Sequence, residues 1–470
     1  MPSTRPASSS NALAISDSGV PSEFTHSAQG TSLRRILRLP ALVFFGLVYM
    51  VPLTIFTTYG VVTQLTGGRT AAAYVITLLA MFFTALSYSA MVKKYPIAGS
   101  AYSYTSLSFG PSIGFLAGWS LLLDYLFLPM INYLVIGLFL NIAFPQVPAW
   151  VFVVATIGVV TVLNIRGISS VSSMSNLIVG AQVVFVLVFI ALAGKHLLGV
   201  EALDLSAPWL GDGSQVGFLP LIAGAAVLCL SFLGFDAVST LAEEARDPRR
   251  DIPRAIVITT LGAGALFILL ALVSQLVFPG SAFKDPEAAA GEVMLQAGGR
   301  FLEMFFTAAY VAGAAGSALA SQASVSRILF SMGRDGILPR RVFGVLSARY
   351  KTPTTAIVLV SLISLLAVVI DLTTLASMIS FGALVAFSAV NLAVIKSHLF
   401  DGQPRSGADL LRYGLLPLVG FALIVWLWTS LSLLTLGIGL AWFAVGLAYL
   451  AFHTRGFSHK APEVQFSEPL

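Results

Sequence analysis

Twelve runs of about twenty apolar residues punctuate this chain, and a helix needs roughly that length to cross the hydrocarbon core of a bilayer. They fall at approximately 40–65, 72–92, 112–143, 149–165, 174–194, 217–242, 255–278, 301–328, 354–370, 374–395, 413–430 and 433–452. What lies between them cannot supply a water-facing shell. Only 10% of the 470 residues are charged, against roughly 25% in a soluble domain. Most of the folded surface must meet lipid, where every backbone N–H and C=O has to be satisfied internally. The pattern predicts an all-α membrane protein of about 12 transmembrane helices.

The placement of charge tests that count. With the N-terminus inside, only Arg69, Lys195, Lys284 and Arg300 of the 26 lysines and arginines fall in outer segments. All the others collect at the opposite face, which is the signature of cytosolic loops. Both termini are expected in the cytosol, with the chain multi-pass in a bacterial-type inner membrane. This distribution accounts for the formal charge of +5 without a nucleic-acid partner. Residues 1–33, rich in Ser, Thr, Ala and Pro with no apolar run, read as a disordered cytosolic tail rather than a secretory signal. Residues 34–455 form the membrane domain, and 456–470 a second cytosolic tail.

Several function classes drop out. Cys229 is the single cysteine, so no internal disulfide forms. His26, His196, His398, His453 and His459 all sit in tails or between the apolar runs, so no histidine metal site is expected inside the membrane. There is no phosphate-binding loop for an ATP-driven pump. No cluster of histidines, cysteines or paired carboxylates gathers at one face as an enzyme would require. No cofactor is expected.

Two spans look interrupted. The first reads Tyr49-Met50-Val51-Pro52-Leu53-Thr54, with proline near its middle. The sixth reads Phe232-Leu233-Gly234-Phe235-Asp236, with glycine and a carboxylate at the same depth. Non-helical backbone at membrane depth survives only where it lines a cavity or packs in protein. Breaks five spans apart predict two inverted five-helix repeats, spans 1–5 and 6–10, plus two extra helices, with spans 1 and 6 discontinuous.

A charge near the bilayer centre costs about 2.5–3.5 kcal/mol on insertion scales. Asp124, about eleven residues into span 3, and Asp236, at the break in span 6, both carry that cost, and no lysine or arginine lies at comparable depth. Such acids either bond to neighbouring donors, carry a proton, or await a cation from outside. Asp236 has two readings, a cap on the second half of span 6 or a contact to a guest. Asp124 has two as well, a partner on a neighbouring helix or a guest. Tyr49, Tyr125, Phe232, Phe235, Trp119 and Tyr310 could stack on a carbon chain or face an ammonium group, or simply pack. Ser317, Ser321 and Ser324 on span 8 could ligate sodium with carbonyls of span 1, or permit close helix packing. Glu243 and Glu244, beside Arg246, Arg249, Arg250 and Arg254, read as a solvated ion-pair cluster at the inner end of span 6, with a gating role open to it.

Three blocks carry a likeness to a known family. They are Pro96-Ile97-Ala98-Gly99-Ser100-Ala101-Tyr102, the run SFLGFDAVSTLAEE from Ser231 followed by Pro248, Arg250, Ile252, Pro253 and Ala255, and Met332-Gly333-Arg334-Asp335-Gly336 with Tyr350-Lys351-Thr352-Pro353. From about Arg35 to Arg455 the chain resembles the amino acid–polyamine–organocation (APC) transporters. Gly46 to Phe56, GWSLLLDYLFLPMIN from Gly118, and FGALVAFSAVN from Phe381 are similar to bacterial putrescine importers. The resemblance implies secondary active import of putrescine or a similar small cationic amine by alternating access, with Tyr125 recognising substrate. It implies H+ rather than Na+ as the coupling ion. An ion-coupled amino acid permease of the same fold is the alternative. In amino-acid-carrying relatives the first break is glycine-rich and its N–H groups cradle an α-carboxylate. The bulky residues and proline here point to an amine without one.

Overall fold

The computed structural model describes residues 35–455 except 202, 214–216, 285, 287–288, 371, 401–405, 430 and 432. Both predicted tails therefore lie outside the described residues. Within them the protein is all-helical, and its helices follow the apolar runs. Span 1 is Leu39–Thr66, span 2 Thr70–Lys94, span 3 Pro111–Ala143, span 4 Ala149–Arg166, span 5 Ile168–Leu197 and span 6 Leu219–Leu241. Span 7 is Pro248–Val277, span 8 is residues 300–334, span 9 Thr354–Val368, span 10 Met378–Phe400, span 11 Gly407–Trp428 and span 12 Leu433–His453. Eleven of these are long and apolar enough to cross a membrane. Span 9 is the exception. At 1.5 Å per residue it covers only about 22 Å, and it turns back into span 10 within a few residues.

Glycine and proline set several boundaries. Gly110, at φ +98°, turns the chain into span 3, whose first residue is Pro111. Proline suits that position because its missing N–H would have had no partner. Gly167, at φ +112°, is the whole link between spans 4 and 5.

The packing repeats itself when each span is exchanged for the one five further on. Span 1 packs on span 7, and span 6 on span 2. Span 3 packs on span 10, and span 8 on span 5. Spans 2 and 7 pair with each other, as do spans 3 and 8. A short helix precedes span 3 (Ser100–Phe109), and another precedes span 8 (residues 289–297, set off by the non-helical pair Gly298 and Gly299). The first short helix lies against the second half of span 6. The start of the second approaches Gly60 in the second half of span 1 so closely that a Cβ there would lie 2.3 Å from that of Ala289. An odd number of spans per repeat makes the two halves run in opposite senses.

Spans 11 and 12 stand outside this core. Trp119 of span 3 stacks on Trp442 of span 12 with ring centres 4.8 Å apart. Each indole N–H donates to the other residue's carbonyl, at 2.9 and 2.8 Å. Trp119 is thus a seam residue between spans 3 and 12, away from both breaks.

Candidate functional site

The break in span 1 follows from its proline. The first half ends at Met50, Val51 takes φ +47° and ψ 96°, and a 3-10 turn Pro52–Thr54 leads into the second half. Proline excludes helical backbone from the residue before it and has no N–H to give. The carbonyls freed there find other donors. Val48 O accepts from Val51 N–H at 3.3 Å, Tyr49 O from the Ser317 hydroxyl at 2.7 Å, and Met50 O from the Thr54 hydroxyl at 3.0 Å. In span 6 the helix loosens at Cys229–Phe232, goes extended at Leu233, and turns at Gly234 with φ +130°. Only glycine fits this last position. Its φ is unfavourable for any side chain, and a Cβ would sit 2.5 Å from the Tyr49 ring. The two breaks therefore touch each other.

Span 3 brings its polar pair to this junction. Tyr125 Oη donates to Asp236 Oδ2 at 2.6 Å, and Gly234 N–H donates to Asp236 Oδ1 at 3.3 Å. Tyr125 and Tyr49 rings stand 6.2 Å apart. Asp124 is 1% exposed and its Oδ1 has no hydrogen-bond partner. Its helix turn is pressed against span 10, where a Cβ on Gly382 would lie 2.7 Å from Asp124 N. Asp124 and Asp236 are within electrostatic reach of each other. Neither makes an ion pair among the described residues. Pro129 adds one more polar group: lacking an N–H, it leaves the Tyr125 carbonyl without its helical donor.

Of the other predicted positions, Phe235 packs edge-on to Tyr88 and lies 5.3 Å from Phe387. Phe232 faces Tyr74 and Phe267. Tyr310 is placed apart from the acids: its hydroxyl bonds Thr57 at 2.6 Å, in the second half of span 1. Ser317 gives its proton to Tyr49 O and accepts from Asn132 Nδ2 at 3.0 Å, while Ser321 bonds back to Ser317 O at 2.7 Å. The Ser317 hydroxyl therefore stitches the first break to spans 3 and 8, while that of Ser321 bonds back within its own helix. Sequence reasoning passes over Tyr88. It is fully buried with an unpartnered hydroxyl and lies within electrostatic reach of both acids. No local pattern in span 2 marks it, because its place beside the second break arises from packing against Phe235 of span 6.

The profile of the family described as Amino acid permease matches residues 41–449. This chain belongs to that family. The permease is 40% identical over 451 residues to the low-affinity putrescine importer PlaP of Escherichia coli, covering 94% of this chain and 98% of that protein. It is 28% identical to the branched-chain amino acid permease BcaP of Lactococcus lactis, over 87% of this chain and 92% of the relative. To the vacuolar cationic amino acid transporter 2 of Arabidopsis thaliana it is 28% identical, over 78% of this chain and 60% of the relative. The APC resemblance read from the sequence motifs holds, and the permease is a multi-pass membrane transporter rather than an enzyme.

The basic end of the permease is closed by ion pairs, and their partners differ from those expected. Glu243 accepts from Arg334 through both oxygens at 3.0 Å and from the Ala98 N–H at 3.1 Å. Glu244 is bonded to Arg327. Tyr102 Oη donates to Asp335 at 2.8 Å. The Glu244 and Arg327 side chains are only 4% and 9% exposed, so this is a buried clasp rather than a solvated cluster. The sequence places Glu243 and Glu244 near Arg246–254, but the helix carries those arginines outward, and span 8 supplies the partners instead. All three family blocks meet here: Ala98 and Tyr102 from the first, Glu243 and Glu244 from the second, Arg334 and Asp335 from the third. With Asp124 and Asp236 each 1% exposed, the site is sealed towards both faces.

Proposed function

We propose that this permease imports putrescine or a closely similar small diamine by alternating access, with Asp236, Asp124 and Tyr125 as the recognition site. The observation that carries the reading is a pair of buried carboxylates, neither of them ion-paired, flanking one tyrosine at the meeting point of two broken helices. An uncompensated buried charge is costly, and a dication neutralises both acids at once. The Tyr49 and Tyr125 rings offer their faces to an ammonium group or its methylene chain. The relative named as a putrescine importer supports the same substrate class.

The first break weighs against an α-amino acid. A carboxylate there needs free backbone N–H groups. Pro52 has none, Val51 N–H is bonded to Val48 O, and Thr54 N–H is bonded to Val51 O at 2.8 Å. We further propose that the basic end faces the cytosol, as the positive-inside rule has it, and that H+ rather than Na+ is the coupling ion. When the amine leaves, Asp124 stays in a dry site with a bare oxygen, and a proton neutralises it there. The Ser317 hydroxyl, already committed on both sides, is a poor candidate for a sodium ligand.

The test is uptake of radiolabelled putrescine into proteoliposomes under separately imposed proton and sodium gradients. Uptake is expected with an inward proton gradient and is expected to persist in excess lysine or alanine. Uptake driven by sodium alone would remove the coupling assignment. Block by alanine, with none by unlabelled putrescine, would remove the substrate.

A further inference from the structure

An open groove lies away from the transport site. It has a volume of about 500 Å³ and lies at the basic end, between spans 2, 7, 10 and 11. Its mouth carries Lys93, Arg249, Arg250, Arg254 and Arg412, and no acidic residue is among the described residues that line it. The described acids nearest in sequence, Asp247, Asp251 and Asp409, are not among its lining residues. All five cations are exposed, and none makes an ion pair or a side-chain hydrogen bond among the described residues. Five like charges around one groove repel each other unless an anion sits between them.

Depth and polarity indicate which anion. The cations stand at the ends of spans 2, 7 and 11, where helices leave the membrane. Below them the wall turns apolar through Ala90, Val257, Ile258 and Leu416, and Ile258 is 48% exposed on the lipid side. A soluble anion has no use for that wall. A phosphate attached to acyl chains does, since basic pockets between spans at a bilayer surface hold anionic headgroups while the chains run along the helices. We infer that this groove is a binding site for an anionic glycerophospholipid, its phosphate held by Lys93, Arg254 and Arg412 and its chains lying along spans 7 and 11. The bound lipid ties span 7, of the inverted-repeat core, to span 11, outside it. The inference needs only that this end lies at a bilayer surface, so it stands or falls separately from the choice of substrate.

Native mass spectrometry of the full chain tests it, with phosphatidylglycerol or phosphatidylcholine added to the micelles at equal mole fraction. Phosphatidylglycerol is expected to stay bound to the wild type and phosphatidylcholine is not. The Lys93→Gln/Arg254→Gln/Arg412→Gln variant is expected to retain at least about tenfold less, while the charge-preserving Arg254→Lys/Arg412→Lys variant keeps the adduct. Equal retention of the two lipids by the wild type would overturn the proposal, as would equal phosphatidylglycerol retention by wild type and the glutamine variant. Displacement of the lipid by millimolar inorganic phosphate would make the groove a soluble-anion site and overturn it too.

Discussion

Asp236→Asn lowers putrescine uptake by about two to three orders of magnitude at equal protein level. The substitution keeps the shape and an acceptor for Tyr125 but removes the charge that meets the ammonium group. Breaking a buried charge pair by neutralising one partner costs about 3–5 kcal/mol, and each 1.4 kcal/mol is a factor of ten. Tyr125→Phe deletes only the 2.6 Å hydrogen bond to Asp236. A hydrogen bond to a charged group is worth about 1.5–3 kcal/mol, so about ten- to a hundredfold is expected. The ordering follows from which atom carries the charge. Initial rates in proteoliposomes give both numbers. Wild-type kinetics for Asp236→Asn would take this carboxylate out of the site, whatever happens to the tyrosine.

The second large effect lies at the clasp. Arg327→Ala leaves the Glu244 carboxylate without its partner in a pocket where its side chain is 4% exposed, and about 3–5 kcal/mol of folded-state stability is lost. The melting temperature in detergent falls accordingly. Adding Glu244→Gln to that background removes the stranded charge and recovers most of the loss. Arg334→Ala is milder, because Glu243 keeps the Ala98 N–H and is 11% exposed. If Arg327→Ala melts with the wild type, or if Glu244→Gln fails to repair it, the pair is not the buried contact described here. The clasp also joins span 6 to span 8 and to the loop after span 2.

Much of this was legible in the chain because membrane segments obey strict rules. Length and apolarity located the helices, Pro52 and Gly234 located the breaks, and the cost of intramembrane charge singled out Asp124 and Asp236 before any coordinates. The breaks meet, and Tyr125 does bond Asp236, because a helix break leaves polar backbone that must be packed against something. The contacts that escaped were long-range choices between partners of equal plausibility. Glu244 has arginines two, five and six residues ahead, yet pairs with Arg327, 83 residues away, because direction on a helix decides contact and sequence distance does not. Trp119 is one of several aromatics that the sequence leaves open to stacking or packing, and span 12 claims it. Tyr310 has the right chemistry on the right span, but it sits a few turns along span 8 from the acids and bonds Thr57 instead. Span 9 shows the opposite failing: an apolar run of ordinary appearance folds into a helix shorter than a bilayer crossing.

Two buried acids completed by a doubly charged guest are the centre of the account. Calorimetric titration of the purified protein with putrescine and with 1-butylamine, for wild type and Asp124→Asn, tests it most directly. Putrescine is expected to bind the wild type at least about tenfold more tightly than butylamine, with most of that advantage gone in Asp124→Asn. Equal affinity for the two amines in the wild type, or a preference for putrescine that survives intact in Asp124→Asn, would contradict it.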